Sequence, residues 1–157
     1  DKPYIWILDR IVVPVAIGGA FIRTGNLMNS EIYGQPTDLP WGFKFVRDYP
    51  IGTPIENIPA CHPTQIYEAL FCVAVFIYLL YAYYKQNMAE RRPGFMFGIF
   101  LIVVFGSRIL IEFIKNHQVS FEDNMVLDMG QWLSIPFLLA GIYFVVRSFL
   151  KYENLKK

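Results

Sequence analysis

Four long apolar stretches constrain this chain more than any other feature of it. Ile66 to Tyr84 carries one charged side chain, Glu68, in its first turn. Phe95 to Ser107 carries none, and the pattern runs on through Arg108 to Ile114. Trp132 to Val146 carries none either. Ile5 to Ile22 is the least regular, with Asp9 and Arg10 near one end and Pro14, Gly18 and Gly19 inside. A helix needs about 20 mostly apolar residues to cross the hydrocarbon of a bilayer. Pro and Gly are tolerated there when neighbouring helices re-satisfy the backbone. Small residues such as Ala16, Gly19 and Ala20 let helices approach closely. The expected fold is therefore all-α and polytopic. One membrane domain spans 1–157, with helices at about 5–22, 64–84, 95–115 and 130–150 and a long outer loop at 23–63.

Composition agrees and excludes other classes. Hydrophobic residues make up 55% of the 157 and charged residues 17%, against about 25% charged in a soluble globular domain. So little charge cannot cover a water-facing surface, and so much apolar content excludes disorder. Basic residues (14) barely exceed acidic ones (13), so no excess is left to neutralise phosphates, and a nucleic-acid partner is excluded. The two cysteines are too few for a disulfide framework or a zinc site; no metal and no cofactor is expected. Cys61 and Cys72 are separated by roughly 12 Å or more of intervening helix, too far for a disulfide. Cys72 reads as packing, and Cys61, beside His62, keeps a weaker reading as a reactive thiol.

Charge sorts the connections. The loop from Lys85 to Arg92 holds Lys85, Arg91 and Arg92 against Glu90, and the tail from Arg147 is also net basic. The segments 24–62 and 112–128 are net acidic. Lys and Arg favour the cytoplasmic side, so the basic loop and the C-terminus are expected there, with the acidic segments outside. The long outer segment is rich in Pro and aromatics, which favours a structured loop near the headgroups. Trp41 to Val46 reads as a short strand. Tyr33, Trp41, Tyr67 and Trp132 read as interfacial anchors.

Ionisable residues inside a span are costly and mark function by default. Arg23 ends the first span, Glu68 starts the second, and Arg108 and Glu112 share a face of the third at i and i+4. Each has a plainer reading. Arg108–Glu112 could be a helix-stabilising ion pair, Arg23 could snorkel to the interface, and Glu68 could favour its helix N-terminus. Together, two arginines at headgroup depth suit a phosphate, which a guanidinium fork binds bidentately.

Four motifs then acquire a common meaning. Arg23-Thr-Gly25-Asn26-Leu-Met-Asn29-Ser-Glu31-Ile-Tyr-Gly34 is a dense polar run after an apolar helix. It is followed by His62-Pro-Thr-Gln-Ile-Tyr-Glu68, Arg108-Ile-Leu-Ile-Glu112-Phe and Met129-Gly-Gln-Trp-Leu-Ser-Ile-Pro136. In content and order these resemble the signatures of the bacterial prolipoprotein diacylglyceryl transferases. Ile22 stands where the family has Gly before the arginine, and Leu27 where it has Phe. The resemblance covers only the later part of the family's chain. The sequence opens at Asp1, and no segment of the His-Gly-Gly type carried by the family's front part occurs, so an N-terminal truncation is expected.

The resemblance implies a reaction. The family moves the diacylglyceryl group of phosphatidylglycerol to the lipobox cysteine thiol of a prolipoprotein signal peptide, and glycerol 1-phosphate leaves. It implies an inner-membrane, multi-pass enzyme whose site faces the periplasm, with membrane lipids as further partners. By resemblance, Arg23 and Arg108 bind the phosphate, and Asn26 and Asn29 orient the headgroup or hold the turn. Glu31 and Glu112 position the arginines, Glu68 adjoins the headgroup, and Gly25 and Gly34 permit a tight backbone path. His62 is a candidate general base, with a plainer reading as a helix-start residue beside Thr64, a candidate N-cap; the base could instead lie in the missing front. His117 reads as solvated. The competing class is a non-catalytic lipid-binding or anion-transporting membrane protein.

Overall fold

The computed structural model describes residues 3–115 and 127–154; His117 lies outside the described residues. Four long helices dominate: α1 (Tyr4–Asn29), α2 (Thr64–Tyr84), α4 (Phe95–Glu112) and α5 (Met129–Asn154). A short helix, α3 (Met88–Arg91), links α2 to α4, and a two-residue antiparallel pair, β1 (Phe43–Lys44) and β2 (Ala60–Cys61), ties the outer loop together. All four long helices are long and apolar enough to cross a membrane, and the fold is that of an all-α polytopic membrane protein.

Burial is inverted relative to a water-soluble bundle. Phe21, Leu70, Ile77, Leu133 and Leu150 are each more than half exposed, as lipid-facing side chains are. Thr64, Gln65, Glu68, Ser107, Lys115, Gln131 and Ser134 are buried. An apolar core of Val12 and Ala16 (α1), Val75 and Leu79 (α2) and Phe95 and Met96 (α4) fills the half of the bundle near α3. The polar residues gather at the other end. Helices without a hydrophobic drive between them associate through close approach. α4 and α5 do this at Gly98 and Gly141. A Cβ on Gly98 would sit 2.8 Å from the Gly141 carbonyl and 2.7 Å from Val145 Cγ2.

The first helix is longer than the apolar pattern predicts. It continues two turns beyond Ile22, through Arg23–Asn29, and stops only at Ser30, whose left-handed backbone (φ 60°) returns its N–H to the Asn26 and Leu27 carbonyls. A polar run reads as loop by composition, but nothing in Arg23–Asn29 breaks a helix except Gly25, and one glycine costs only about 1 kcal/mol. The polar motif therefore sits on a rigid helix end rather than in the outer loop. At α4 the deviation is opposite. The helix ends at Glu112, and Lys115 turns off to pair with Gly34 in an isolated bridge.

Asp9, fully buried on α1, accepts from the backbone N–H groups of Gly94 (2.6 Å) and Phe97 (2.9 Å). It caps α4 from another helix, satisfying donors that lipid would leave orphaned. Close by, Arg10 pairs with Glu90 of α3 and lies 3.6 Å over the Trp6 ring. The C-terminal ends of α1 and α4 and the starts of α2 and α5 share the opposite end of the bundle.

In the outer segment the strand expected over Trp41–Val46 contracts to Phe43–Lys44. Three of the four aromatics expected as interfacial anchors are engaged within the protein. Tyr33 stacks on Phe45 at 4.4 Å and donates to Asp48 Oδ2 at 2.5 Å. Trp41 Nε1 donates to Tyr67 Oη at 3.0 Å. Trp132 is exposed on α5.

Candidate active site at the polar end of the bundle

The site starts from a charge chain across three helices. Arg23 near the end of α1 pairs through Nε with Glu68 Oε2 of α2. The other oxygen of Glu68 meets Lys115 Nζ at 2.7 Å, and Lys115 Nζ also meets Glu112 Oε2 of α4 at 3.3 Å. All four side chains are one-fifth exposed or less. Burial of this kind is tolerated only when charges are paired and hydrogen-bonded. Beside the chain lies a cavity of about 230 Å³ whose lining includes Gly19, Arg23, Glu68, Cys72 and Arg108. The two arginines, from α1 and α4, open onto this one space. Arg108 Nε is buried and has no hydrogen-bond partner. On its other side Arg23 borders a smaller, mostly apolar cavity of about 130 Å³, lined by Leu27, Ile66, Leu70 and Val73 among others.

Several sequence expectations change at this point. Arg108 and Glu112 form no ion pair among the described contacts, although one helix face carries both. Glu112 goes to Lys115 instead, and Glu68, not Glu31 or Glu112, holds Arg23. Glu68 therefore does not serve chiefly as a favourable charge at its helix start. Thr64 does not cap α2. It is the first residue of that helix, and its hydroxyl donates to the Ile32 carbonyl at 2.8 Å. This bond and one from Gln65 Nε2 to the Glu31 carbonyl (2.6 Å) clamp the segment after α1 onto α2.

The remaining residues of the first motif are not among those that line the larger cavity. Glu31 is exposed and accepts from Asn26 Nδ2 at 3.1 Å, while Asn26 Oδ1 is buried without a partner. Asn29 is exposed on the last turn of α1. Gly25 is not required by a tight path, because a Cβ there would meet open space. Gly34 is. A Cβ would fall 2.5 Å from the Ile114 carbonyl oxygen, 2.8 Å from His62 Cβ and 2.9 Å from Thr64 Cγ2. Only a bare backbone fits where three segments cross.

His62 is half-buried at the start of α2 and is not part of the cavity lining. Its Nδ1 lies 3.3 Å from Tyr67 Oη. The Tyr67 hydroxyl oxygen accepts from Trp41 and also accepts from Nδ1–H in the His62 tautomer that carries its hydrogen there. This relay fastens the outer loop to α2. Cys61 and Cys72 are free and buried. Burial pushes the Cys61 thiol up, which disfavours the thiolate that nucleophilic chemistry needs. Cys72 packs on Gly19, its Sγ 3.2 Å from where a Cβ would stand, and also lines the cavity.

Lys115 and Gln65 are the residues that the sequence did not single out. Lys115 stands three positions after Glu112, and the turn that follows α4 brings the two side chains together. Gln65 sits inside the quoted His62–Glu68 motif. The motif at the start of α5 also gains a physical role. A Cβ on Gly130 would collide with the Glu112 carboxylate, and Gln131, 2% exposed, donates to the Ile109 carbonyl at 3.3 Å. That motif seats α5 against the site.

The family model for prolipoprotein diacylglyceryl transferase matches residues 1–147. The chain belongs to the prolipoprotein diacylglyceryl transferase family. Among its relatives, a phosphatidylglycerol–prolipoprotein diacylglyceryl transferase of Porphyromonas gingivalis is 48% identical over 152 residues, covering 94% of this chain and 54% of the relative. The proteins of the same name from Tolumonas auensis and Chloroherpeton thalassium are 41% and 40% identical, over 94% and 100% of this chain and 54% and 55% of theirs. The chain thus spans about half the length of the curated relatives it matches. In this member of the family the four quoted motifs converge on one end of the bundle.

Proposed function

We propose that the protein to which these residues belong transfers the diacylglyceryl group of phosphatidylglycerol to the lipobox cysteine of prolipoproteins, releasing glycerol 1-phosphate. The observation that carries this reading is the convergence of Arg23 and Arg108, from separate helices, on one cavity at the polar end of an apolar bundle. The relatives' shared name supports the same substrates.

The chemistry asks for three things. The incoming thiol loses its proton, and its sulfur attacks the glycerol carbon that carries the phosphate. The C–S bond forms as the C–O bond breaks, and the electron pair leaves with the phosphate oxygen. Charge therefore builds on the departing phosphate, where fixed guanidinium groups in a dry site count for more than in water. Arg108, with a buried unpartnered Nε, and Arg23, held on Glu68, fill that role. Asn26, Asn29 and Glu31 line the approach, and Gly34 and Glu112 shape the site through their neighbours. Among the described residues His62 is the proposed proton acceptor, in the tautomer that donates Nδ1–H to Tyr67 Oη and leaves the Nε2 lone pair free. The lipid enters sideways from the bilayer.

The location proposed is the bacterial inner membrane, with the polar end of the bundle toward the periplasm and the C-terminus in the cytoplasm. The test is a transfer assay with the full-length protein in membranes, labelled phosphatidylglycerol and a lipobox peptide. Label moving to the peptide cysteine as a thioether is the expected result. A peptide that stays unlabelled while lipid and protein are intact would overturn the reading.

A further inference from the structure

We propose that Lys115 is a positioning residue that keeps Arg108 free for the anionic headgroup by occupying Glu112. The inference rests on the transfer reading above and deepens it.

Arg108 and Glu112 lie four residues apart on one face of α4, the spacing at which opposite charges pair on a helix. They do not pair. Glu112 Oε2 is taken by Lys115 Nζ at 3.3 Å, and the same ammonium meets Glu68 Oε1 at 2.7 Å. The Lys115 side chain is 4% exposed, so it has little access to other acceptors. The backbone holds it in place as well. Lys115 bridges Gly34 in an antiparallel pair, and Gln35 N–H donates to the Ile114 carbonyl at 2.9 Å.

Charge matching shows the consequence. Arg23, Glu68, Lys115 and Glu112 alternate in sign along the chain of ion pairs. Arg108 stands outside it, with its Nε buried and unpartnered beside the cavity. Arg108 is half-buried, and its positive charge is offset by no carboxylate among the described ion pairs, which leaves it available to an anion in the cavity. If Lys115 loses its charge, the Glu112 carboxylate loses its cation, and the guanidinium nearest along its helix face is Arg108. A pair formed there withdraws Arg108 from the cavity.

The deciding experiment compares Lys115→Met with the double variant Glu112→Gln/Lys115→Met in the full-length protein, in membranes, by the transfer assay. Lys115→Met is expected to lower kcat/KM by roughly tenfold or more and to raise the apparent KM for phosphatidylglycerol, with KM for the lipobox peptide within about twofold of wild type. The double variant is expected to recover at least about threefold of that loss, because a neutral amide cannot capture Arg108. A packing role alone predicts that the double variant is as poor as the single one or poorer. Lys115→Met within about twofold of wild type, or a double variant no better than Lys115→Met at equal abundance, would overturn the proposal. If Lys115→Met does not accumulate, the double variant decides alone: transfer within about tenfold of wild type supports the proposal, and background transfer overturns it. Failure of the wild type to transfer would instead overturn the functional reading beneath it.

Discussion

At the scale of the residue, the two arginines differ in kind although they share a cavity. Arg23 is balanced by Glu68, whereas Arg108 lines the cavity with a buried nitrogen that has no partner. Arg23→Ala and Arg108→Ala are each expected to abolish transfer. Arg108→Lys is also expected to fail, because a point charge cannot reproduce a planar fork; wild-type rates in either Arg108 variant would remove it from the phosphate. Gly34 gives a stability prediction. Adding a methyl group where three atoms stand within 3 Å forces backbone to shift, and overpacking of this kind costs about 1–3 kcal/mol. Gly34→Ala should unfold at lower denaturant than wild type in detergent. An unchanged midpoint would mean that the crossing of Gly34, Ile114 and His62 yields freely. Tyr33 is held by the same outer segment. Burial, and then the Asp48 carboxylate it donates to, hold its phenol above the usual range, so it stays neutral at any working pH and acts as a packed hydrogen-bond donor.

At the scale of the element, helix ends decide the structure more than helix interiors do. The start of α4 is capped by Asp9 from α1, and losing a cap costs about 0.5–2 kcal/mol. Asp9→Ala should lower the denaturation midpoint, while Asp9→Asn, which keeps one acceptor, should lower it less. Equal loss in both would show that the charge, not the hydrogen bonding, matters. The end of α1 explains why the first motif is so dense. Its last two turns carry Arg23 inward toward the cavity and Asn26 toward Glu31, and Ser30 and Ile32, both at φ 60°, reverse the chain immediately afterwards. Thr64 and Gln65 then hold that reversal onto α2. The motif is therefore a helix terminus plus its fastening, and only part of it touches the cavity.

At the scale of the whole molecule, charge is segregated between the two ends of an apolar bundle. The end with α3 carries Lys85, Arg91 and Arg92, and the other holds the buried ion-pair chain. Positive loops stay cytoplasmic, and the orientation proposed above rests on that rule. In the full-length protein in spheroplasts, Ile51→Cys should react with a membrane-impermeant maleimide. Asn87→Cys should react only after permeabilisation. Both sites are exposed, Cys61 and Cys72 are buried, and the protein without either new cysteine gives the background labelling. The opposite labelling pattern would invert the topology and move the site to the cytoplasmic face.

The class, the spans of α2, α4 and α5 to within a few residues, and the four motifs that belong together are all legible in the residues alone. Each follows from a local rule. Lipid admits only backbones that satisfy themselves, so apolar runs of sufficient length become helices wherever they occur. The partners within the site were decided by tertiary structure alone. Glu112 is four residues from Arg108 yet pairs with Lys115, and Glu68 reaches Arg23 from another helix. In a buried site each charge takes the partner that packing brings closest, and that choice depends on how α1, α2 and α4 cross rather than on spacing along any one of them.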